Sequence, residues 1–205
     1  MTKAEMYGSM ITNYQTTSEK PMNSYWQGGE GHLDADVLVI GDDWNSFEGN
    51  TRETLCQLME TIGYSLREDN EKVFCTNLMI PGGIQQDEQK VFTYIKQLVY
   101  LIEPKVVLCL GKTSFEAVFN SFGMELTSKL KKEGYNYIID RNSVGYYLTF
   151  GKNNEKKKIR VFALARCTYM GISSRNFKGE HEDVLFWVKE DYKKVGAFLE
   201  ENRVV

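Results

Sequence analysis

The sequence predicts a three-layer αβα sandwich around a mainly parallel four-stranded sheet. Three observations carry this. Four strand-like runs, Val37–Ile40, Lys72–Leu78, Val106–Leu110 and Val161–Ala165, punctuate the chain. Their apolar character is largely continuous, as in strands covered on both faces. Segments with helical spacing lie between them, and strand–helix alternation implies parallel pairing through crossovers.

The elements follow in order. Residues 1–34 are polar and glycine-containing, and read as a short helix and an arm leading into one α/β domain over residues 35–205. After the first strand, Leu55, Leu58, Met59 and Ile62 recur at helical spacing, with Asn50 and Glu53 as a capping box and Gly63 as a stop. Lys72–Leu78 is the second strand. Val91, Tyr94, Ile95, Leu98 and Ile102 mark one face of a long helix closed by Pro104. The third strand runs to Gly111, and Thr113 with Glu116 forms another capping-box pattern opening a helix to about Phe122. Two strand-like pieces between Tyr137 and Phe150 read as a hairpin around Asp140–Gly145. The fourth strand follows, and residues 181–201 read as a closing helix.

Composition narrows the function classes. A chain of 205 residues can bury one sizeable core. A net charge of −3 exerts no global pull toward nucleic acid, so any basic surface is local. The four cysteines are scattered without a Cys-x-x-Cys pair, and only two histidines exist, so no zinc site, iron–sulfur cluster or other cofactor is expected. The first residues carry no apolar signal core and no stretch reaches membrane-spanning length. A cytoplasmic monomer is expected, with no membrane partner.

In a parallel sheet, the loops after the four strands converge on one edge, where ligands bind. Those loops are Gly41-Asp-Asp-Trp-Asn45, Thr76-Asn77, Gly111-Lys-Thr-Ser114 and Cys167–Arg175. Asp42 and Asp43 are candidate acids; helix capping is the bland alternative. Asn77 offers a donor and an acceptor. Phe47 can stack on a base or anchor the next helix. Lys112, Thr113 and Ser114 stand at a helix start suited to phosphate. Gly111-Lys-Thr is not a Walker loop, because the required glycine five residues earlier is Val106. Tyr169, Ser173 and Arg175 are further phosphate or donor candidates. Lys152, Lys156, Lys157, Lys158 and Arg160 form one basic cluster, either phosphate-tracking or a solvated hairpin tip.

This order of motifs resembles the uracil-DNA glycosylase superfamily over roughly residues 34–200. Gly41-Asp-Asp-Trp-Asn45 aligns without gaps with the family's Gly-Gln-Asp-Pro-Tyr loop, which puts Asp43 on the aspartate that positions the attacking water. Thr76-Asn77 matches the strand end whose asparagine reads the pyrimidine. Glu103–Gly111 resembles the third strand and its phosphate-gripping turn. Cys167-Thr-Tyr-Met-Gly-Ile, followed by Arg175-Asn-Phe-Lys-Gly179, aligns with the His-Pro-Ser-Pro-Leu-Ser loop and its Arg-x-Phe-x-Gly extension. The departures matter as well. Cys167 stands at the family's histidine, Gly171 at the duplex-wedging leucine, Trp44 beside the water site and Asn45 at the tyrosine of the pocket floor. The cysteine pattern also departs from the iron–sulfur branch.

The resemblance implies a monofunctional DNA glycosylase that excises uracil or a modified pyrimidine from single- or double-stranded DNA after flipping the base into a pocket. Asp43, with Asp42 as competitor, and Cys167 would stand at the catalytic positions; Asn77, Phe47, Trp44 and Asn45 would contact the base. Two alternatives remain open at this level: a DNA- or nucleotide-binding relative that has lost catalysis, and an enzyme of small nucleosides or nucleotides on the same sheet.

Overall fold

The computed structural model of the chain describes residues 1–16, 28–42, 47–67, 72–78, 88–124, 132, 134–141, 145–151 and 156–202. Helix α1 (Lys3–Thr16) precedes strands β1 (Gly29–Gly31) and β2 (Val37–Gly41). Then come α2 (Gly49–Glu60), β3 (Val73–Asn77), α3 (Glu88–Ile102), β4 (Val106–Leu110), α4 (Lys112–Ser121) and a short α5 (Tyr135–Asp140). Strands β5 (Tyr146–Phe150) and β6 (Lys157–Leu164) follow. Helix α6 (Tyr169–Ser173), a 3-10 turn over Ser174–Lys178 and α7 (Phe186–Glu201) come last.

The sheet has six strands in the order β1-β3-β2-β4-β6-β5. The four expected strands form its parallel centre. β1 and β5 add antiparallel edges, against β3 and β6. β1 escaped the sequence reading because an edge strand lacks a continuous apolar run, whereas β5 is the second strand-like piece of the expected hairpin, read as a strand but not as part of this sheet. β1 is Gly-Glu-Gly, and β5 buries only Leu148 and Phe150.

The expected hairpin is also displaced. Its first half is α5, where Ile138 and Ile139 are both buried. Two adjacent apolar residues in so short a segment do not distinguish the two periods. The real hairpin is β5–β6. The closing helix starts at Phe186, five residues later than its pattern suggested. Neither capping box forms: α2 and α4 are preceded by Glu48 and Gly111, with no side-chain cap from either.

Helices cover both faces. α3 packs against α1 and α4, whereas α2 packs against α7. Phe74 of β3 meets Tyr7 of α1 edge-on at 5.5 Å, and Thr76, two residues further along, shares a 2.8 Å hydrogen bond with Tyr94 of α3. The period of two puts both on one face. On the other face Phe162 of β6 packs on Phe198 of α7 at 5.9 Å. The chain leaves β2 toward β3 on one side and leaves β4 toward β6 on the other. The crevice between the ends of β2 and β4 is therefore the topological switch point. No helix among the described residues is long and apolar enough to cross a membrane.

The closing segment is tied by a buried arginine. Arg175, expected to face a phosphate, is fully buried. Its Nε and Nη2 donate to Asp191 of α7 at 2.9 and 3.1 Å, Nη2 also to Asp140 of α5 at 2.8 Å, and Nη1 to the Asn136 carbonyl at 3.2 Å. With two carboxylates already claiming the guanidinium, the arginine joins the 3-10 turn to α5 and α7 and presents no donor outward. Partial burial opposes ionisation of Asp140, but hydrogen bonds from Lys178 and Arg175 outweigh it and hold that carboxyl below its ordinary 3.8. Its contribution to stability is thus complete at neutral pH and fades as acid takes the pH below that value. Replacing Arg175 by Met takes the buried partner from two carboxylates, leaving Asp191 with Lys194 and Asp140 with Lys178 alone. We expect a loss of about 3–5 kcal/mol in urea unfolding, or a fall in Tm of roughly 6–20 °C for a chain of this size. An unchanged midpoint would show that the cluster does not hold the closing segment.

Candidate active site

Strand register brings the four loops to one line. Gly41 lies opposite both Asn77 and Leu110, and Leu110 opposite Leu164. Asp42, Asn77, Gly111 and Arg166 therefore sit at or just beyond neighbouring strand ends.

Asp42 is the centre of this edge and is 1% exposed. Its Oδ1 accepts the Ser114 amide at 2.6 Å, and its Oδ2 accepts Nε of Arg166 at 2.7 Å while also pairing with Nη2. Ser114 is the third residue of α4, where an N-cap side chain normally supplies the acceptor. Gly111 has no side chain to do so, and the carboxylate arrives instead from β2. Its negative charge also suits the start of the helix. The arrangement requires glycine at 111: φ is +116°, and a Cβ there would run into the Asp42 carboxylate and Arg166 Nε.

Arg166 was missed by the sequence reading. A single arginine after an apolar strand has no local pattern, and only its pairing with Asp42, 124 positions away, marks it. Its side chain is 45% exposed. Among the described residues only Asp42 pairs with it, which leaves part of its five-donor fork open. It lines a groove of about 550 Å³ with Lys112, Tyr135, Thr168, Tyr169 and Met170. The Tyr135 hydroxyl donates to the Leu164 carbonyl at 3.0 Å, and burial raises its pKa well above the ordinary value.

The remaining expected residues divide. Asn77 ends β3 half-buried, with its side-chain oxygen buried. Lys112 is half-exposed beside Glu116 at 3.7 Å, and Thr113 is exposed. Tyr169 is 85% exposed. Phe47 is half-buried and packs against the core. Asp43, Trp44 and Asn45 lie outside the described residues.

Ser114 was expected to face phosphate, yet it is fully buried and its Oγ donates to the Gly111 carbonyl at 2.9 Å. The Ser173 hydroxyl is likewise engaged, donating to Met170 at 3.3 Å. Cys167, expected at the leaving-group position, points inward: its sulfur lies 3.9 Å from the Tyr192 hydroxyl of α7. Burial, opposed by that contact, pushes the thiol up to about 12. Gly171, at the expected wedge position, packs so closely on the Arg166 carbonyl that no side chain fits there. The four cysteines are buried on separate elements, and among the described residues no three His, Cys, Asp or Glu side chains come together to hold a metal.

A sheet with a parallel centre, whose carboxyl edge carries a carboxylate, an amide, a helix start and an arginine that lines a groove, defines an α/β protein with a candidate polar site at its switch point. Comparison with known proteins finds distant relatives. The chain is 24% identical over 124 residues to a type-4 uracil-DNA glycosylase of Sulfurisphaera tokodaii, across 54% of this chain and 55% of that protein. It is 25% identical over 127 residues to a type-4 uracil-DNA glycosylase of Archaeoglobus fulgidus, across 55% of this chain and 62% of that protein. The match thus spans less than two thirds of either curated relative. No family model matches the chain. Together with the α/β architecture, these matches relate the chain to the uracil-DNA glycosylase superfamily.

The geometry makes Asp42 a structural acid. Asp42→Asn keeps one acceptor for Ser114 but removes the charge facing Arg166. It should lower unfolding free energy by about 2–3 kcal/mol, the scale of a charged hydrogen bond, as read by urea titration. Full stability with complete loss of activity would instead make Asp42 the reacting group.

Proposed function

We propose that this chain is a monofunctional DNA glycosylase that hydrolyses the N-glycosidic bond of uracil or a modified pyrimidine. The observation that supports this most directly is the register of Gly41, Asn77, Leu110 and Leu164, which sets an amide and the Asp42–Arg166 pair along one sheet edge, with a groove opening at Arg166. The distant relatives named as uracil-DNA glycosylases support the same reading at the level of the family.

In this reaction the C1′–N bond breaks, water oxygen joins C1′, and the base departs with the bonding pair and takes up a proton. Positive charge grows on the sugar and negative charge on the base. Asp43 is the proposed acid that orients the water and steadies the sugar. Elimination supports this choice, because both oxygens of the neighbouring Asp42 are engaged by Ser114 and Arg166. Asn77 is proposed to read the pyrimidine edge. Arg166 takes over the phosphate-holding role first expected of Arg175.

One observation favours a second reading. Neither histidine, His32 nor His181, lines the groove, and Cys167 faces the interior. A relative that binds DNA without cutting it would have this inventory. A panel of labelled oligonucleotides carrying uracil, mismatched thymine, hypoxanthine and modified pyrimidines separates the two readings, because only the first creates abasic sites.

With a cleaved substrate in hand, Asp43→Asn should slow single-turnover excision by about 100-fold or more, with little change in DNA affinity, while Cys167→Ala leaves the rate unaltered. Equal rates for wild type and the Asp43 variant would remove Asp43 from the mechanism. Arg166→Gln, which keeps a donor for Asp42, should weaken DNA binding on every sequence and reduce the salt slope by about 1. A slope equal to wild type would take Arg166 off the phosphate path.

A further inference from the structure

Lys152 of the expected basic cluster lies outside the described residues, and Lys157, Lys158 and Arg160 of β6 do not act as one patch. Lys157 and Lys158 alternate to opposite faces of β6. Lys157 turns to Glu103. Lys158 and Arg160 share the face toward α7, and Tyr147 of β5 lies opposite Arg160 in register. The Arg160 guanidinium stacks 3.3 Å from the centre of the Tyr147 ring and 5.2 Å from that of Phe198, while Lys158 Nζ stands 5.7 Å from Tyr147. Lys105, just before β4, and Lys194 of α7 complete a groove of about 490 Å³.

The charge of this groove opposes that of the chain. Its lining has four cations and one carboxylate, Glu201, on a chain of net charge −3. Lys105 is paired with Asp36 and Lys194 with Asp191. Among the described residues, neither Lys158 nor Arg160 has a carboxylate partner. Folding therefore brings two uncompensated cations together over an aromatic ring that is 53% exposed, which costs repulsion unless an anion enters. Stacking on Tyr147 also holds the guanidinium flat and orients its remaining donors.

This groove is remote from the candidate active site. Arg160 lies opposite Val106, the first residue of β4, whereas that site begins beyond Leu110, the last. The strand between them spans roughly 13–17 Å.

We propose that the groove is a second nucleotide-binding site, holding a nucleotide phosphate on Lys158 and Arg160 with the adjacent base against Tyr147. Cations beside an exposed aromatic are the combination that holds single strands without regard to sequence. The same chemistry serves a DNA strand or a free nucleotide, and the inference does not depend on glycosylase activity.

The test uses the full chain, a fluorescent ten-nucleotide thymidine oligomer carrying one 5-bromodeoxyuridine, and a fluorescent deoxynucleoside monophosphate. Tyr147→Ser should weaken oligomer binding at least about 5-fold, the low end for one stacked base, and Tyr147→Phe should restore it. Lys158→Gln should lower the salt slope by about 0.7, the value for one phosphate contact on a single strand. Ultraviolet crosslinks should fall on the peptide containing Tyr147, and should persist in Arg166→Gln. Monophosphate binding that is also lost in Tyr147→Ser assigns the site to free nucleotides as well; binding of the oligomer alone assigns it to strands. Wild-type binding of both probes by the Tyr147 and Lys158 variants, each melting like wild type, overturns the proposal. So do crosslinks confined to the Arg166 edge.

Discussion

The carboxylate of Asp42 is the constraint on which the ligand edge depends. A buried charge must be paired and hydrogen-bonded to be tolerated. Here its partners come from two other loops: the amide of Ser114 at the start of α4 and the guanidinium of Arg166 beyond β6. One side chain thus fixes three strand ends relative to one another across the switch point. The dependence continues outward. Gly111 must lack a Cβ because the carboxylate occupies that space, and Gly171 must lack one because α6 packs on the Arg166 carbonyl. The groove is preorganised by these contacts before any ligand arrives.

The parallel centre of the sheet was legible because strands buried on both faces write themselves as apolar runs. The edges were not. β1 has no apolar signature, and the Tyr-Asn-Tyr-Ile-Ile-Asp segment of α5 is too short to show its period. At the site, the order of loops on one edge could be read from strand–helix alternation alone. The inward turn of Arg175 and Cys167 could not, since it depends on Asp191, Asp140 and Tyr192 reaching them from other elements. Arg166 was invisible for the same reason: its meaning lies in a long-range pair. Local pattern identifies positions along an element, whereas the direction of a polar side chain is settled by partners distant in sequence.

The groups facing the groove narrow the chemistry available there. The buried Tyr135 hydroxyl is spent on the backbone of β4 and β6. The Cys167 thiol is shielded against α7. What remains on the groove among the described residues is led by an exposed lysine and a half-exposed guanidinium, Lys112 and Arg166. These orient and neutralise anions. On the proposed glycosylase reading, such an edge suits a leaving group that needs little help from a proton donor.

The buried Arg175 cluster has one more consequence. Its Arg175–Asp191 pair sits where mobile ions do not reach, whereas Lys158, Arg160 and Arg166 are open to solvent. Ionic strength therefore acts on two populations of charge in different ways. Added salt competes for the outward cations and leaves the inward pair of guanidinium and carboxylate untouched. Concentrated electrolyte therefore screens the ligand edge, where the outward Arg166 also holds Asp42, before it reaches the buried pair that ties the closing segment.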